Sequence, residues 1–355
     1  LGFEYDFQAI RHYGCDSHDA AGEMVQAMEI MHADISKSHS NPLRHLKFWN
    51  PELAEIRRAM RFFHEQVRQV LRHMRARGPP TEADFSIGAH LQRVIDPRTG
   101  KPLTDEYMLP EITAFLVAGS DTTSHTMSFA SWLIAAHPHV EARICEELAS
   151  LGLLATAAKP IPRAVEWEDL GKLKYLNAVV KETMRLLPVS AEVGAMDCDR
   201  DVVLAGHRIP AKTTIWAPIF LFQRSALLWE RPNEFDPSRW MQPGTEYAQE
   251  LKGGGACAEV AAACSAQRQE DEGGEERHRP LRYAPFSQGP RSCVGQPMAE
   301  LSYKSALATI YGRFTFDIDE SMPSDPSKIA DSGIIALTLH VKECLLRPRL
   351  RVREK

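Results

Sequence analysis

The chain has 355 residues, of which 44% are hydrophobic and 25% are charged, so it can bury a large core. Its 42 basic and 47 acidic residues give a net charge of −5, and this balance argues against a nucleic-acid-binding protein. Seven cysteines without a CxxC pair argue against a disulfide framework or a zinc site, and they favour a reducing compartment.

The first clearly predicted element is an amphipathic helix that begins after Asn50. Asn50 is a suitable N-cap, Pro51 suits the first turn, and Gly78-Pro79-Pro80 ends the pattern. Apolar residues at helical spacing are predicted to be buried, namely Leu53, Ile56, Met60, Phe63, Val67, Val70 and Met74. The opposite face carries Arg57, Arg58, Arg61, Arg68, Arg72 and Arg75. Such a face can contact a membrane or an acidic partner, although solvation is its more common state.

A second helix is predicted from about Thr104 to His137, and its middle breaks the local rules of helix formation. The segment Ala118–Ser124 contains a glycine and several hydroxyl residues, and glycine alone costs up to about 1 kcal/mol in a helix interior. Small residues let a flat ligand approach the backbone, a threonine hydroxyl can hold a water there, and Asp121 is a candidate proton carrier. The alternative is a helix–helix contact through small residues, with Asp121 facing solvent.

The elements that follow are mainly helical, with minor β structure. A helix is predicted from Tyr175 to Leu187, and on it Glu182 and Arg185 are spaced for an ion pair worth only about 0.3–0.5 kcal/mol on a surface. Residues 202–216 are predicted to form a small hairpin region. Residues 244–280 are rich in glycine, alanine and acidic side chains, and they are predicted to form a disordered insertion.

The segment Phe286–Gly295 places Cys293 in a glycine-flanked loop directly before a helix-compatible run. A thiolate held there can ligate a haem iron, and the N–H groups of the following helix start can stabilise its charge. Gly289 and Gly295 let the backbone pass close to a flat macrocycle, and Arg291 suits a haem propionate. The alternative is an ordinary buried thiol.

The spacing FxxGxRxCxG in Phe286–Gly295 resembles the haem-ligand loop of the cytochrome P450 family. Three other segments resemble family motifs in the family's order: AGSDT around Thr122, ETMR at 182–185, and PSRW with Arg239. The likeness covers roughly residues 104–351. It implies a mainly α fold, in which a helical bundle with a long central helix over the haem is joined by small β-sheets. The implied haem contacts are Ala118, Gly119, Phe286, Gly289, Arg291, Cys293, Val294, Gly295 and Ala299.

This resemblance implies a haem-thiolate monooxygenase that inserts one oxygen atom from O2 into a small, apolar organic substrate. Cys293 would ligate the iron of haem b (iron protoporphyrin IX), and Thr122 with Asp121 would deliver protons. Electrons would come from a reductase, which in this family is typically an NADPH-dependent flavoprotein.

The resemblance also implies what surrounds the haem. Glu182, Arg185 and Arg239 would form a buried charged network behind the cysteine loop. The candidate substrate-pocket walls are Ala114, Phe115, Ala118 and residues 189–193 and 333–335. Glu192 could read a polar group on the substrate, although a solvent-facing glutamate is the more common case. The bases that could face an acidic reductase are Lys172, Lys174, Arg231 and Arg282.

Residues 1–355 are predicted to form one truncated domain that lacks an N-terminal portion with further propionate contacts and any membrane anchor. The full-length protein would then lie on the cytosolic face of the endoplasmic reticulum membrane. Within the chain, no apolar run reaches the roughly 18–20 residues that span a bilayer. Two departures from the family stand out: the turn at 209–213 lacks the usual glycine, and no arginine occurs between 189 and 197.

Three alternatives remain open at this point. The chain could be a truncated product that binds no haem and is inactive. It could be a relative that rearranges peroxides without a reductase, although Thr122 argues against this. A non-enzymatic helical interaction protein would explain the arginine-rich helix face but not four motifs in the family's order.

Overall fold

The computed structural model describes residues 20–352, except 42, 44–45, 47–49, 85, 205, 242–281, 323–332, 336–337 and 342–343. The insertion predicted at 244–280 lies outside the described residues. The described helices are α1 Ala20–Ser40, α2 Pro51–Ala76, α3 Ile87–Arg93, α4 Asp105–Ala136, α5 Pro138–Ser150, α6 Trp167–Leu170, α7 Lys174–Leu186, α8 Ile219–Phe222 and α9 Gln296–Arg313. The mainly helical prediction is confirmed, and none of the described helices is long and apolar enough to cross a membrane.

The described strands form five antiparallel pairs. They are β1 Ile95–Asp96, β2 Lys101–Pro102, β3 Val193–Asp197, β4 Val202–Leu204, β5 His207–Ile209, β6 Thr214–Ala217, β7 Phe314–Ile318, β8 Gly333–Ile335, β9 Leu339–Val341 and β10 Leu346–Leu350. The pairs are β1 with β2, β3 with β6, β4 with β5, β7 with β10 and β8 with β9. The hairpin predicted at 202–216 is therefore present as β4 and β5, while β6 returns to pair with β3.

The turn before β6 lacks the glycine that the resemblance leads one to expect. Lys212 has a φ of 66°, in the left-handed region that favours glycine. Its amide donates to the carbonyl of Cys198 at 2.7 Å, which holds the strained residue in place.

The chain divides into two compact units, Leu1–Asp121 and Thr122–Lys355. In the first unit, the amide of Glu52 donates to the side chain of Asn50 at 3.0 Å, which confirms the predicted cap of α2. The helix ends at Ala76, before Gly78 with a φ of 80°. Its apolar face packs in a core with α1 and the start of α4, formed by Met24, Ala27, Ala59, Phe63, Val67, Val70, Leu71, Met74, Met108 and Ile112.

The prediction that Met60 belongs to the core is wrong. Met60 is 39% exposed, whereas Ala59 and Leu71, which were not predicted, are buried on the apolar face of α2. Met60 lies at the edge of the buried arc, where a flexible thioether can remain at the surface. The six arginines on the opposite face are all exposed. Two of them form ion pairs: Arg72 with Glu65 at 2.7 Å and Arg75 with Asp105 at 3.0 Å.

In the second unit, the last turns of α4 pack with α5, α7 and α9. Their shared core includes Trp132, Leu133, Val140, Ile144, Leu148, Leu176, Val179, Leu307 and Tyr311. The predicted limits of α4 and α7 are correct to within one residue, and Pro110 does not delay the start of α4. The apolar spacing on these helices is sufficient to specify which face is buried.

Gly312, near the end of α9, is a point where helix and loop backbones meet. A Cβ on this residue would lie 2.4 Å from the carbonyl oxygen of Leu153, and the carbonyl of Gly312 accepts the amide of Ala155 at 2.8 Å. We expect Gly312→Ala to lower the free energy of unfolding by about 1–3 kcal/mol because the backbone must shift. Thermal denaturation measures this. Gly171→Ala, with open space around the new methyl group, is the control and should change stability by less than about 1 kcal/mol; equal losses would contradict the steric explanation.

Candidate active site

The loop that carries Cys293 is closed by main-chain hydrogen bonds. The amide of Ser287 donates to the carbonyl of Ala284 at 3.0 Å, and the amide of Cys293 donates to the carbonyl of Phe286 at 2.9 Å. Between them the chain turns through Ser287 and Gly289, with φ values of 62° and 80°. The left-handed turn at Gly289 is one that a residue with a side chain adopts only with strain, so the glycine of the motif has a backbone role.

The thiol of Cys293 is free and exposed, and it lies three residues before α9. The N-terminus of this 18-residue helix carries unsatisfied N–H groups and a partial positive charge. A Cβ on Gly295 would lie 3.7 Å from the sulfur, so a glycine keeps one side of the sulfur open. The alternative of a buried structural thiol is wrong, because the cysteine is exposed.

The other predicted residues of the loop lie on either side of Cys293 in the sequence, and they differ in how far they are buried. Phe286 and Ala299 are half-buried and pack against the main core of the second unit, which anchors both ends of the segment. Val294 is 82% exposed, and Met298 is also exposed. Arg291 is exposed at the end of a short 3-10 helix, Gly289–Arg291. An anchored loop thus presents one thiol beside uncovered apolar side chains and a cation.

Glu182 is the centre of a buried charged network. Both carboxylate oxygens face Arg185, which donates from Nε to Oε2 at 2.9 Å and from Nη2 to Oε1 at 2.8 Å. Arg239 adds a bond from Nε to Oε1 at 3.3 Å, Trp240 donates its indole N–H to Oε2 at 2.9 Å, and the amide of Asp236 donates to Oε1 at 3.1 Å. The structure therefore brings together the three predicted network residues and adds two donors.

Every N–H group of Arg185 has a partner. Besides the two bonds to Glu182, Nη1 donates to the carbonyls of Gln223 at 3.0 Å and Pro232 at 2.7 Å, and Nη2 donates to that of Glu234 at 3.0 Å. The side chains of Glu182 and Arg185 are both 0% exposed. The surface interpretation of this ion pair is wrong, because the guanidinium fastens the segment 223–234 to α7 inside the protein.

Gln223 was missed in the sequence and connects this network to the chain that leads into the cysteine loop. Its side-chain amide donates to the carbonyls of Met184 at 2.9 Å and Arg185 at 3.2 Å, and its carbonyl oxygen accepts the amide of Ala284 at 2.9 Å. Ala284 is also the residue whose carbonyl begins the turn into the loop. A fully buried amide with all these bonds satisfied is a rigid connector.

Aromatic side chains also link the network around Glu182 to the segment that leads into the cysteine loop. Trp240, which contacts Glu182, lies 4.6 Å from the ring of Tyr283, and Trp229 lies 5.8 Å from Trp240. The guanidinium of Arg282 stacks over Trp229 at 4.6 Å, and burial lowers the pKa of this arginine, as does the nearby charge of Arg239. These contacts join residues far apart in sequence and had no local signal.

The predicted small-residue segment of α4 falls at the division between the two units. Ala118 and Gly119 are exposed, Asp121 is half-buried, and a Cβ on Gly119 would meet no atom within 4 Å. Thr122 is the first residue of the second unit and is half-buried. Its main-chain carbonyl accepts a hydrogen bond from the hydroxyl of Thr126 at 2.9 Å. The helix is continuous through the segment, so its glycine and hydroxyl residues are not explained by a break in the helix.

The remaining predicted positions have mixed environments. Ala114 is exposed and Phe115 half-buried, whereas Val189 and Ala191 are buried in the core of the second unit. Glu192 is exposed. Lys172 and Lys174 are exposed, Arg282 is half-buried, and Arg231 is paired with Glu234 at 2.7 Å and Asp236 at 3.2 Å.

A cavity of about 270 Å³ lies beside the cysteine loop, lined among others by Lys181, Gln288, Glu300 and Lys304.

A family model described as Cytochrome P450 matches residues 11–342. The chain belongs to the cytochrome P450 family. It is 29% identical over 216 residues to Cytochrome P450 3A28 of Bos taurus, covering 61% of this chain and 35% of the relative. It is 30% identical over 259 residues to Cytochrome P450 4d2 of Drosophila melanogaster, covering 73% and 43%. The chain thus spans less than half the length of these two curated relatives.

Solved structures show the same fold. The crystal structure of a cytochrome P450, CYP102L1, has a TM-score of 0.68 at 20% identity and covers 94% of this chain and 64% of that one. That of the cytochrome P450DA heme domain has a TM-score of 0.70 at 22% identity and covers 93% and 61%. The predicted fold class is confirmed, and the family binds haem as a haem-thiolate group.

The residues of this chain fit such a group. The exposed cysteine would give one ligand to the iron, and the described residues contain no group of three or more histidine, cysteine or acidic side chains that could hold a metal ion by themselves. A single thiolate suits a metal whose other ligands come from a macrocycle, and it does not suit a structural zinc site. The uncovered apolar side chain of Val294 and the bare side of Gly295 are the surface that a flat, apolar ring needs.

Proposed function

We propose that the chain is a haem-thiolate monooxygenase that inserts one oxygen atom from O2 into a small, apolar organic substrate. The observation that carries the proposal is the free thiol of Cys293, which a loop closed by a 2.9 Å main-chain bond presents at the start of α9. Haem b bound there would supply the activation of O2. Electrons would come from an NADPH-dependent flavoprotein reductase, and no nucleic acid takes part.

In this proposal, the chain's own residues have three tasks. Cys293 would hold the haem iron through its sulfur, and the helix start and the closed loop keep that sulfur in one position. The network around Glu182 and Gln223 keeps the loop's leading segment fixed to α7. Thr122 and Asp121 hold and pass the proton that the reaction consumes, and the small residues beside them leave room for a flat ligand.

The reaction class is tested with isotopically labelled O2. The chain, loaded with haem, is incubated with a flavoprotein reductase, NADPH and a panel of apolar substrates, and the products are analysed by mass spectrometry. A monooxygenase gives products that carry one labelled oxygen atom and requires NADPH. Conversion of a peroxide without NADPH, with no labelled oxygen, would instead identify a peroxide-rearranging relative, and Thr122 argues against that outcome.

The role of Thr122 can be tested separately. We expect Thr122→Ala to lower the product formed per NADPH about tenfold or more, with the lost electrons appearing as peroxide, because proton delivery by a placed group is worth at least that much. Ser128→Ala removes a hydroxyl that donates to the carbonyl of Ser124 at 3.0 Å on the same helix, and it should leave this ratio unchanged. An unchanged ratio in Thr122→Ala would remove the threonine from its proposed role.

A further inference from the structure

The hydrogen bonds within the cysteine loop give it a shape but do not attach it to another segment. The amide of Ser287 donates to the carbonyl of Ala284 at 3.0 Å, and that of Cys293 donates to the carbonyl of Phe286 at 2.9 Å. In both bonds the donor and the acceptor lie within residues 284–293. The place of the loop in the protein must therefore be fixed by contacts with other segments.

One side chain bonds to the main chain of this loop. In the part of the chain that the structure describes, the only side-chain hydrogen bond to the main chain of residues 284–293 is that of Gln223, whose carbonyl oxygen accepts the amide of Ala284 at 2.9 Å. Two positions earlier, the indole of Trp229 donates to the carbonyl of Arg282 at 3.3 Å. Ala284 is buried, and a buried amide needs a partner. Gln223 thus holds the loop at the residue where its first turn begins.

The other end of the same side chain caps α7. The Nε2 group of Gln223 donates to the carbonyls of Met184 at 2.9 Å and Arg185 at 3.2 Å. Because α7 ends at Leu186, these carbonyls are among its last four, which have no amide partner within the helix. A single side chain therefore satisfies two carbonyls of α7 and one amide of the cysteine loop.

The surrounding groups determine how the amide of Gln223 is oriented. Two carbonyl oxygens face one end of it and an N–H group faces the other, so a flipped amide would place acceptor against acceptor and donor against donor. Its main chain is held as well, because its carbonyl accepts from Nη1 of Arg185 at 3.0 Å and its amide donates to the carbonyl of Ile219 at 3.0 Å. Gln223 is also 0% exposed. A side chain with every polar group bonded keeps one conformation.

We propose that Gln223 is a positioning residue for the sulfur of Cys293, acting through the amide of Ala284. Gln223 is fully buried and the thiol is exposed, so the glutamine acts on the thiol through the loop. It keeps the sulfur in one place relative to α7, which lengthens the lifetime of the bond between sulfur and iron. This last consequence rests on the proposed function, whereas the effect on the loop does not.

The chain offers two matched controls. Thr183 is fully buried and donates its hydroxyl to the carbonyl of Val179 at 2.9 Å, so Thr183→Val removes a buried bond of α7 that does not reach the loop. Gly312→Ala places its new methyl group against Leu153 at the far end of α9. It is expected to lower stability without a direct effect on the loop.

Amide hydrogen exchange of the haem-free chain measures the effect on the loop. We expect Gln223→Met to speed exchange at Ala284 and Cys293 by about 2- to 10-fold, the effect of one buried hydrogen bond. Gln223→Asn keeps the amide but is one methylene too short to reach both partners, so it should have the same effect. No change in either variant, or an equal change in Thr183→Val, would overturn the assignment.

Release of haem to an excess of a haem-free globin measures the effect on the ligand bond. Loss of a group that supports a metal ligand typically weakens the site by about 10- to 100-fold, so we expect Gln223→Met to release haem faster by about that factor. Its reduced, carbon-monoxide-bound spectrum should show a larger share of the band of a neutral ligand. Gly312→Ala should match the unchanged chain in both measurements; an equal change in it would mean that lower stability alone is the cause.

The two measurements separate this proposal from the proposed function. If the chain takes up no haem while exchange in the loop changes as expected, the proposed function fails and the positioning of the loop stands. If haem binds through a thiolate and Gln223→Met changes neither exchange nor release, the positioning role fails and the proposed function stands.

Discussion

Replacing Glu182 with glutamine is expected to lower the free energy of unfolding by about 3–5 kcal/mol, because a fully buried guanidinium would lose its counter-charge. The carboxylate of Glu182 accepts five hydrogen bonds. A glutamine would replace one of its oxygens with an NH2 group, which would face the N–H donors of Arg185, Arg239 or Trp240 and could not accept from them. Urea denaturation of the haem-free chain, followed by circular dichroism, measures the change. A loss of this size would unfold many single domains.

The control is an ion pair of similar chemistry in an exposed position. Glu65 pairs with Arg72 at 2.7 Å on the outer face of α2, and both side chains are exposed. We expect Glu65→Gln to cost less than about 1 kcal/mol. If Glu182→Gln costs no more than Glu65→Gln, the charged cluster does not hold the segment 223–240 to α7, and the structural role given to it here is wrong.

Replacing Cys293 with serine is expected to abolish thiolate ligation and to weaken haem binding by about 100-fold or more. Loss of a residue that only supports a metal ligand typically costs 10- to 100-fold, and loss of the ligand should cost at least as much. The fold should be retained, since the cysteine side chain is exposed and the loop is closed by main-chain bonds. Haem titration followed by absorbance measures the affinity, and circular dichroism checks the fold.

Cys198→Ser is the matched control, because this half-buried cysteine lies next to β3, and its main chain bonds to Lys212 and Thr213. It should bind haem as the unchanged chain does. Equal haem affinity in Cys293→Ser and the unchanged chain would show that another residue holds the iron.

The sequence was sufficient for the elements whose signals are local. The helix after Asn50, the long helix over 105–136 and the helix carrying Glu182 each have a cap or breaker and an apolar stripe, and all three were predicted. The cysteine loop was predicted from the fixed spacing of Phe286, Gly289, Arg291, Cys293 and Gly295, and the structure shows that its turn needs glycine at 289. The prediction that Met60 is buried was wrong because the periodicity of apolar residues does not resolve the edge of a buried helix face.

The parts that escaped prediction depend on contacts between distant residues. Gln223 bonds to residues 38 and 61 positions away, and Trp240 bonds to a carboxylate 58 positions away. The single-domain prediction, the insertion at 244–280, the location at the endoplasmic reticulum and the catalytic roles remain predictions.

The central claim is that the sulfur of Cys293 ligates haem iron, and the reduced, carbon-monoxide-bound spectrum of the reconstituted chain tests it most directly. We predict a Soret band at the long wavelength of thiolate ligation, which is lost in Cys293→Ser and kept in Cys198→Ser. A band at the shorter wavelength of a neutral ligand in the unchanged chain, or no difference between it and Cys293→Ser, would contradict the account.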